Sequence, residues 1–419
     1  MEKIKRYWEK VSYEIIIFGI FMFQFLIDRP AVINSWPAGF NLMDYSMGFG
    51  SRLLVGTVYR FFYGDYCPAS VMYKYICIGV MIVILIMSIV LGQLIRHAIK
   101  AVPACRNVIW GVGILYLAAP FSMAYVWNWQ NLGRFDVYML MIAILCVLAA
   151  LVIRNFYVKI IVVTVLGVIG LAVHQGFALL YYPMVFSVLC YDVFSENRIH
   201  MPQFIGVFVS GLIEVGCTLY FQFFSHVNFE SSEELYDYLL TRTSEDMDMT
   251  VWSLETEYFQ DLHYQMEGIT KSFFLGDKPF QQLFFIFVFL SPVIILYLML
   301  WKDVFHHVKA NNGKLLQCPY LYMLLSNFCY LPTYIMMTDW GRHLAPQLAM
   351  PVFIVLFYLA KGDAAMKYAC GQMDARIRKY PWFFVLMLVW LANLSSFGAR
   401  YFLMEARQAV EMLHYGLQR

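Results

Sequence analysis

The sequence predicts an all-α membrane protein that crosses the bilayer many times. Of its 419 residues, 61% are hydrophobic and only 14% are charged, and the mean hydropathy is +0.62. An ordinary soluble domain is roughly 45–50% apolar and about 25% charged, so a soluble fold could not bury this much apolar surface. The 30 Lys and Arg residues nearly balance the 28 Asp and Glu residues. This balance leaves no basic excess for a nucleic-acid partner, and we expect none.

Eleven apolar stretches are candidates for membrane spans. A helix that crosses about 30 Å of hydrocarbon needs roughly 20 mostly apolar residues. The first stretch is the weakest candidate because it is short and contains Glu14. No linker or repeat divides the chain, so we interpret residues 1–419 as a single transmembrane domain. The predicted spans are residues 11–27, 72–95, 107–127, 136–153, 159–174, 176–192, 203–224, 280–301, 315–337, 343–360 and 381–402.

The distribution of charge predicts which side of the membrane each loop faces. Residues 1–6 include three basic side chains and precede an apolar run without a small-residue cleavage site, which is typical of an uncleaved signal anchor. With the amino terminus in the cytoplasm, the cytoplasmic segments carry 18 Lys and Arg against 7 Asp and Glu, and the outer segments carry 11 against 19. Cytoplasmic loops are enriched in Lys and Arg, so this orientation is the expected one.

The first extracytoplasmic loop, residues 28–70, is predicted to contain a helix that lies in the membrane interface. One face of residues 51–62 is apolar and would dip into lipid, while Arg52 would face the headgroups. Asp44 precedes this helix, and a carboxylate held at the bilayer surface can remove a proton from a substrate whose tail stays in the membrane. The alternative is that Asp44 only stabilises a turn or a helix terminus. The side chains expected in lipid are those of Leu53, Leu54, Tyr59, Phe61 and Phe62.

Three short outer turns carry dense polar side chains, which a channel or transporter would more often place at mid-membrane. In the first turn, Arg134 is expected to bind a phosphate group, with Asp136 in support; the alternative is a local Arg–Asp pair. In the second turn, His174 is expected to shuttle a proton or to contact phosphate, with Gln175 beside it. The alternative is a histidine that is simply hydrogen-bonded at the end of a helix.

The third turn combines Asp339, Trp340 and Arg342. Asp339 and Arg342 are three positions apart, so they share a face if the turn is helical. Trp340 fits the aromatic belt at a membrane surface. We expect Arg342 to bind phosphate and Asp339 to act as a base, and the alternative is a plain ion pair at the start of a helix.

The outer loop 225–279 has 12 acidic residues and three basic ones. Its aromatic residues recur at spacings that suit short amphipathic helices, and we expect the loop to cap the outer face. Such a loop suits sugar stacking and a divalent cation; a merely solvated loop is the alternative. Glu214 precedes it within an apolar span, where a carboxylate is costly and is either functional or a structural hydrogen-bond partner. The chain has no P-loop or dinucleotide-binding glycine pattern, so any sugar donor should be membrane-borne.

Taken together, these outer-face residues resemble the GT-C class of integral membrane glycosyltransferases, which includes bacterial enzymes that build cell-surface polysaccharides from polyprenyl-phosphate-linked sugars. The resemblance rests on Asp44 ahead of the interfacial helix and on Arg134, His174 and the run from Asp339 to Arg342. It implies a bacterial cytoplasmic membrane, a polyprenyl-linked sugar donor, and a glycan or lipid-linked acceptor. It also implies that Asp44 is a catalytic base or the partner of a divalent cation.

The chain is also similar to polysaccharide polymerases of the O-antigen and capsule type, which join lipid-diphosphate-linked repeats and hold the diphosphate with arginines. The leading hypothesis is a glycosyltransferase in which Arg52, Arg134 and Arg342 neutralise the departing phosphate. In it, Asp44 or Asp339 deprotonates the acceptor. The polymerase is the second hypothesis. The third is a flippase for lipid-linked glycans, or a small-molecule transporter, that forms no bond.

Overall fold

A computed structural model shows a chain that is almost entirely helical in the part that it describes. Its strands are limited there to one antiparallel pairing of two residues each, β1 (Gly48–Phe49) with β2 (His226–Val227). The all-α class that the composition predicts is therefore confirmed. The structure describes residues 2–30, 33, 35–119, 122–127, 131–194, 199–244, 251, 253–259, 291–311, 313–314, 319–336 and 340–392.

Fifteen α-helices of six residues or more are described in these ranges. They are α1 (Glu2–Asp28), α2 (Ser35–Leu42), α3 (Leu53–Tyr63), α4 (Ala69–Ala101), α5 (Asp136–Val152), α6 (Phe156–Val173), α7 (Tyr182–Val193), α8 (Met201–Phe224), α9 (Ser232–Leu240), α10 (Ser291–Ala310), α11 (Pro319–Ser326), α12 (Leu331–Met336), α13 (Trp340–Ala360), α14 (Ala364–Lys379) and α15 (Pro381–Ala392).

Polar side chains set the first residue of several helices. The side chain of Asn155 accepts hydrogen bonds from the backbone N–H groups of Tyr157 and Val158 at 3.0 and 3.2 Å, so α6 begins immediately after it. Asp363 does the same for α14 through the N–H of Met366 at 2.8 Å. Each cap satisfies N–H groups that have no partner inside the helix.

Five described segments are long and apolar enough to cross a membrane. Four shorter apolar helices accompany them, including Val11–Ile27 and Asp136–Val152. The chain is thus a membrane protein with several spans. The count of eleven stays a prediction, since the predicted spans 280–301 and 381–402 extend into residues outside the described ranges. The five long segments are Ala69–Ala101, Pro103–Trp127, Phe156–Val173, Met201–Phe224 and Arg342–Ala360.

One predicted span is an irregular helix. The sequence predicts a span at 107–127, and the described residues of Pro103–Trp127 instead pass through short 3₁₀, α and π turns. Most of this segment is buried inside the protein. Irregular backbone at membrane depth is tolerated where protein surrounds it, which explains how this span can depart from a regular helix.

Helix α13 occupies the centre of the helix bundle and α8 its edge. Helix α4 packs against α1, α5 and α13, and α6 packs between α5 and α8. The apolar window of α13 is 78% buried, whereas that of α8 is 22% buried. A charged side chain at the start of α13 is therefore placed beside several neighbouring helices rather than against lipid.

Helix α3, predicted to lie in the interface, is only partly available to lipid. Phe61 and Phe62 are 86% and 61% exposed, as an interfacial helix requires. Leu53 and Tyr59 are buried, so the prediction that they dip into lipid is wrong. Leu53 is buried because α3 packs against α2 and α6, and Tyr59 is buried because its hydroxyl contacts that of Tyr138 on α5.

Candidate functional site

A cavity near one end of the bundle is lined by residues from five separate stretches of the chain. Its empty space amounts to about 330 Å³ when the part that is open to solvent is included. Four of the predicted site residues, Arg52, Arg134, His174 and Arg342, lie on its wall. The remaining lining residues are Pro37, Phe40, Gly133 and Phe135.

Asn41 holds two of these stretches together. Its side-chain Nδ2 donates to the carbonyl oxygens of Pro37 and Gly133, both at 2.7 Å. Gly133 has a φ of +90° in this turn, and a Cβ there would lie 2.7 Å from the side chain of Ile33. The turn that carries Arg134 therefore needs glycine before it, both for its backbone conformation and for space.

The backbone of Arg52 is tied to the end of α6. Arg52 has a φ of +72°, and its N–H donates to the carbonyl oxygen of Ala172 at 3.0 Å. That carbonyl belongs to the last turn of α6, where helix oxygens lack intrahelical partners. The guanidinium of Arg52 lies 4.9 Å from the ring centre of Phe40, and its Nη2 is 3.0 Å from a carboxylate oxygen of Glu257.

Arg342 forms a buried ion pair with Asp136, the first residue of α5. Its Nε and Nη2 lie 3.1 and 2.8 Å from the same carboxylate oxygen, Oδ2. Asp136 is only 2% exposed. Asp136 thus pairs with a residue 206 positions away, a contact that the sequence did not suggest.

His174 lies among the positive charges of this cavity. Burial lowers its pKa well below the ordinary value of 6.5, and the charges of Arg52 and Arg342 lower it further. Its Nδ1 accepts a hydrogen bond from the backbone N–H of Gly176 at 2.8 Å. His174 is therefore neutral at neutral pH and carries its proton on Nε2, so it can donate a hydrogen bond to a ligand.

Part of the acidic loop covers Arg52. Gln175 donates its backbone N–H to Ser51 Oγ at 2.8 Å, and its Nε2 lies 3.4 Å from Glu257 Oε1. The hydroxyl of Tyr258 donates to the carbonyl oxygen of Ser51 at 3.1 Å. The segment Glu255–Phe259 is thereby joined to the first loop and to the turn after α6.

Asp44 does not lie on the cavity wall. Its Oδ1 accepts hydrogen bonds from the backbone N–H of Ser46 at 2.8 Å and from Arg60 at 3.0 Å, and its Oδ2 accepts from Arg242 at 2.6 Å. Burial by itself would raise the pKa of Asp44, but the hydrogen bonds from Ser46 and Arg242 outweigh it and lower the pKa. Asp44 is therefore an ionised carboxylate that joins the first loop to the acidic loop.

The other predicted residues fall into two groups. Asp339 and the side chain of Trp340 lie outside the described parts of the structure, so their roles stay predictions. Glu214 is buried in α8 against α6, where a Cβ on Gly167 would lie 1.9 Å from its carboxylate. Gly167 is seven residues before His174, about 10 Å along the helix axis, so Glu214 is separate from the cavity.

The sequence analysis did not identify Glu257 and Arg242, which form ion pairs with the predicted site residues Arg52 and Asp44. Glu257 is one of many acids in its loop, and nothing in the local pattern marks it. Arg242 did carry a signal, because it is a basic residue surrounded by acids. Among the described residues, no group of three or more His, Cys, Asp or Glu side chains could hold a metal ion, and the divalent cation stays a prediction.

Comparison with known proteins adds no relative: no protein-family model, curated protein or solved structure matches this chain.

Proposed function

We propose that this chain is a membrane glycosyltransferase that binds the phosphate of a lipid-linked sugar donor in the arginine-lined cavity. The observation that supports this most is the convergence of Arg52, Arg134 and Arg342 around the neutral His174. The donor is a polyprenyl-linked sugar and the acceptor a glycan or a lipid-linked glycan. In this proposal the membrane is the bacterial cytoplasmic membrane, and the cavity faces outward.

The lining of the cavity favours an anionic group. Three arginines line it, and none of its described lining residues is acidic. Pro37, Phe40 and Phe135 also line the cavity, and apolar neighbours lower the local dielectric constant, which strengthens electrostatic attraction. Guanidinium groups aimed at a departing phosphate stabilise the negative charge that develops on it as the glycosidic bond breaks.

His174 supplies a hydrogen bond rather than a base in this proposal. Its Nδ1 is already an acceptor for the N–H of Gly176, so the Nε2–H remains for a phosphate oxygen. The proton of the acceptor hydroxyl must then go to a carboxylate. Asp339, three residues before Arg342, is the candidate that the sequence offers near the cavity, and Asp44 is the second.

A polymerase that joins lipid-diphosphate-linked repeats is the second candidate. Three arginines on one cavity offer more guanidinium groups than a single phosphoryl group needs, and this observation favours two linked phosphoryl groups. The two functions differ in their products, because a transferase adds one sugar and a polymerase makes glycans of many different lengths. A flippase would bind the same lipid and give neither product.

The test is sugar transfer by the purified chain in lipid vesicles, with polyprenyl-phosphate and polyprenyl-diphosphate sugar donors. We expect Arg134→Gln and His174→Gln to lower the transfer rate by roughly 10²–10³-fold, the size seen when one transition-state hydrogen bond is removed. Arg378→Gln is the control, since Arg378 is 67% exposed and pairs with Asp374 away from the cavity.

Two further variants assign the base. Loss of transfer in Asp339→Asn with transfer retained in Asp44→Asn would assign the base to Asp339. Full transfer in both cavity variants, Arg134→Gln and His174→Gln, would contradict the proposal. Lipid scrambling by the purified chain without any transfer would support the flippase instead.

A further inference from the structure

Two arginines of the cavity use the same edge of the guanidinium group in different ways. Arg342 places both Nε and Nη2 on the carboxylate of Asp136, at 3.1 and 2.8 Å. Arg52 places only Nη2 on Glu257, at 3.0 Å. The Nε of Arg52 is buried and has no hydrogen-bond partner in the part of the chain that the structure describes. Both donors of this edge are therefore bonded in Arg342, whereas only one of the two is bonded in Arg52.

The unused Nε–H of Arg52 favours a ligand with two oxygens. A buried donor without a partner has lost its hydrogen bond to water and gained none in return. Phosphate groups accept two parallel hydrogen bonds from one guanidinium edge, which Glu257 does not do here. A phosphate oxygen pair across Nε and Nη2 would leave no donor of this edge unsatisfied.

Glu257 is also the more easily displaced of the two carboxylates. Its side chain is 16% exposed, whereas that of Asp136 is 2% exposed. Glu257 lies on the short segment Glu255–Phe259, and the contact of its other oxygen within the described ranges is a long one, 3.4 Å, with Gln175. Asp136 is the first residue of the 17-residue helix α5, so its backbone is held in a longer regular element.

We infer that the phosphate of the ligand takes the place of Glu257 on Arg52, so that Glu257 is a specificity-determining residue of the cavity. This inference rests on the proposed function, in which the cavity binds phosphate. Glu257 occupies Arg52 in the absence of ligand and excludes small anions that offer a single contact. A phosphate or diphosphate group displaces it because it fills both positions of the edge, and the segment Glu255–Phe259 is then released from Arg52.

The experiment measures binding of inorganic pyrophosphate to the full-length chain in detergent by calorimetry. Glu257→Gln should bind pyrophosphate roughly two- to fivefold tighter, the size that one partly exposed ion pair contributes. Glu255→Gln is the matched control, because Glu255 is an exposed carboxylate two residues earlier on the same segment. It should bind as the unmodified chain does, apart from a small general effect of charge.

A second pair of measurements tests the exchange directly. Arg52→Lys keeps the positive charge but loses the two-position edge, so adding Glu257→Gln to Arg52→Lys should no longer tighten binding. Pyrophosphate should also speed amide hydrogen exchange in residues 253–259, because the contact between Arg52 and Glu257 is broken.

The outcomes separate the inference from the proposed function. If Arg134→Gln weakens binding but Glu257→Gln behaves as Glu255→Gln does, the exchange is overturned and the phosphate cavity stands. If hydrogen exchange in residues 253–259 is unchanged by saturating pyrophosphate, the exchange is overturned as well. If the unmodified chain does not bind pyrophosphate, or binds it equally well with Arg134→Gln, the proposed function fails and the inference fails with it.

Discussion

The ion pair between Arg342 and Asp136 should be among the most stabilising polar contacts at the cavity end of the bundle. Asp136 is 2% exposed and the side chain of Arg342 is 15% exposed, so little water would replace a lost partner. Removing one member of a buried pair typically costs about 3–5 kcal/mol, because the other charge is left unpaired. We expect Arg342→Gln to lower the free energy of unfolding by about that amount.

The reverse change has a different consequence. Asp136→Asn should also destabilise the fold, but it leaves the two-position edge of Arg342 open to the cavity. Binding of pyrophosphate should therefore become tighter while stability falls. In the double variant, Asp136→Asn with Arg342→Gln, neither charge remains buried alone. Its free energy of unfolding should therefore regain more than half of what Arg342→Gln loses.

Denaturant unfolding of the detergent-solubilised protein gives the four free energies that the double-mutant cycle needs. The control cycle uses the ion pair between Asp374 and Arg378, which lie one turn apart on α14. The side chain of Arg378 is 67% exposed. That pair should couple by only about 0.3–0.5 kcal/mol. A loss below about 1 kcal/mol for Arg342→Gln, or strict additivity with Asp136→Asn, would refute the reasoning for a buried pair.

Three further predictions concern other contacts. The lowered pKa of Asp44 means that its ion pair with Arg242 contributes stability above pH 3.8 and loses it as the pH falls below that value. Limited proteolysis within residues 228–244 should be faster at acidic pH than at neutral pH. At neutral pH it should be faster in Asp44→Asn than in the unmodified chain. A bound anion favours protonated His174, whose pKa lies below 6.5, so sulfate affinity measured by calorimetry should rise as the pH falls below 6.5. His174→Gln should remove this rise, and an unchanged pH profile would contradict the placement of His174. Gly167→Ala should destabilise the fold by about 1–3 kcal/mol, because its Cβ would meet the carboxylate of Glu214 at 1.9 Å. Thermal unfolding checks this. The control is Gly216→Ala in α8, where the added Cβ would meet no atom within 4 Å.

The helices were largely predictable from the sequence because apolar length decides them. The predicted span 72–95 lies inside Ala69–Ala101, and the predicted span 203–224 nearly coincides with Met201–Phe224. A helix satisfies its own backbone groups, so a long apolar stretch in lipid has few other conformations. The irregular segment Pro103–Trp127 was not predictable in this way, because its hydropathy is that of a span while surrounding protein allows its backbone to vary.

The residues of the cavity were predictable as types, but their partners were not. Arg134, His174 and Arg342 stood out as polar side chains at the ends of apolar helices, and they do lie on one cavity. The pairing of Arg342 with Asp136 joins residues 206 positions apart. No local spacing encodes such a contact, since it depends on which helices pack side by side.

The same limitation explains why Asp44 is a poor candidate for the base, although its place in the first loop suggested that role. A general base works best when its pKa is near the working pH. The hydrogen bonds from Ser46 and Arg242 lower the pKa of Asp44 instead, and they occupy the oxygens that would have to accept a proton. Arg242 lies 198 residues away in the acidic loop, so this loss of basicity cannot be read from the neighbourhood of Asp44 in the sequence. The geometry therefore favours a structural role for Asp44. The candidate base that remains is Asp339, which the sequence places three residues before Arg342.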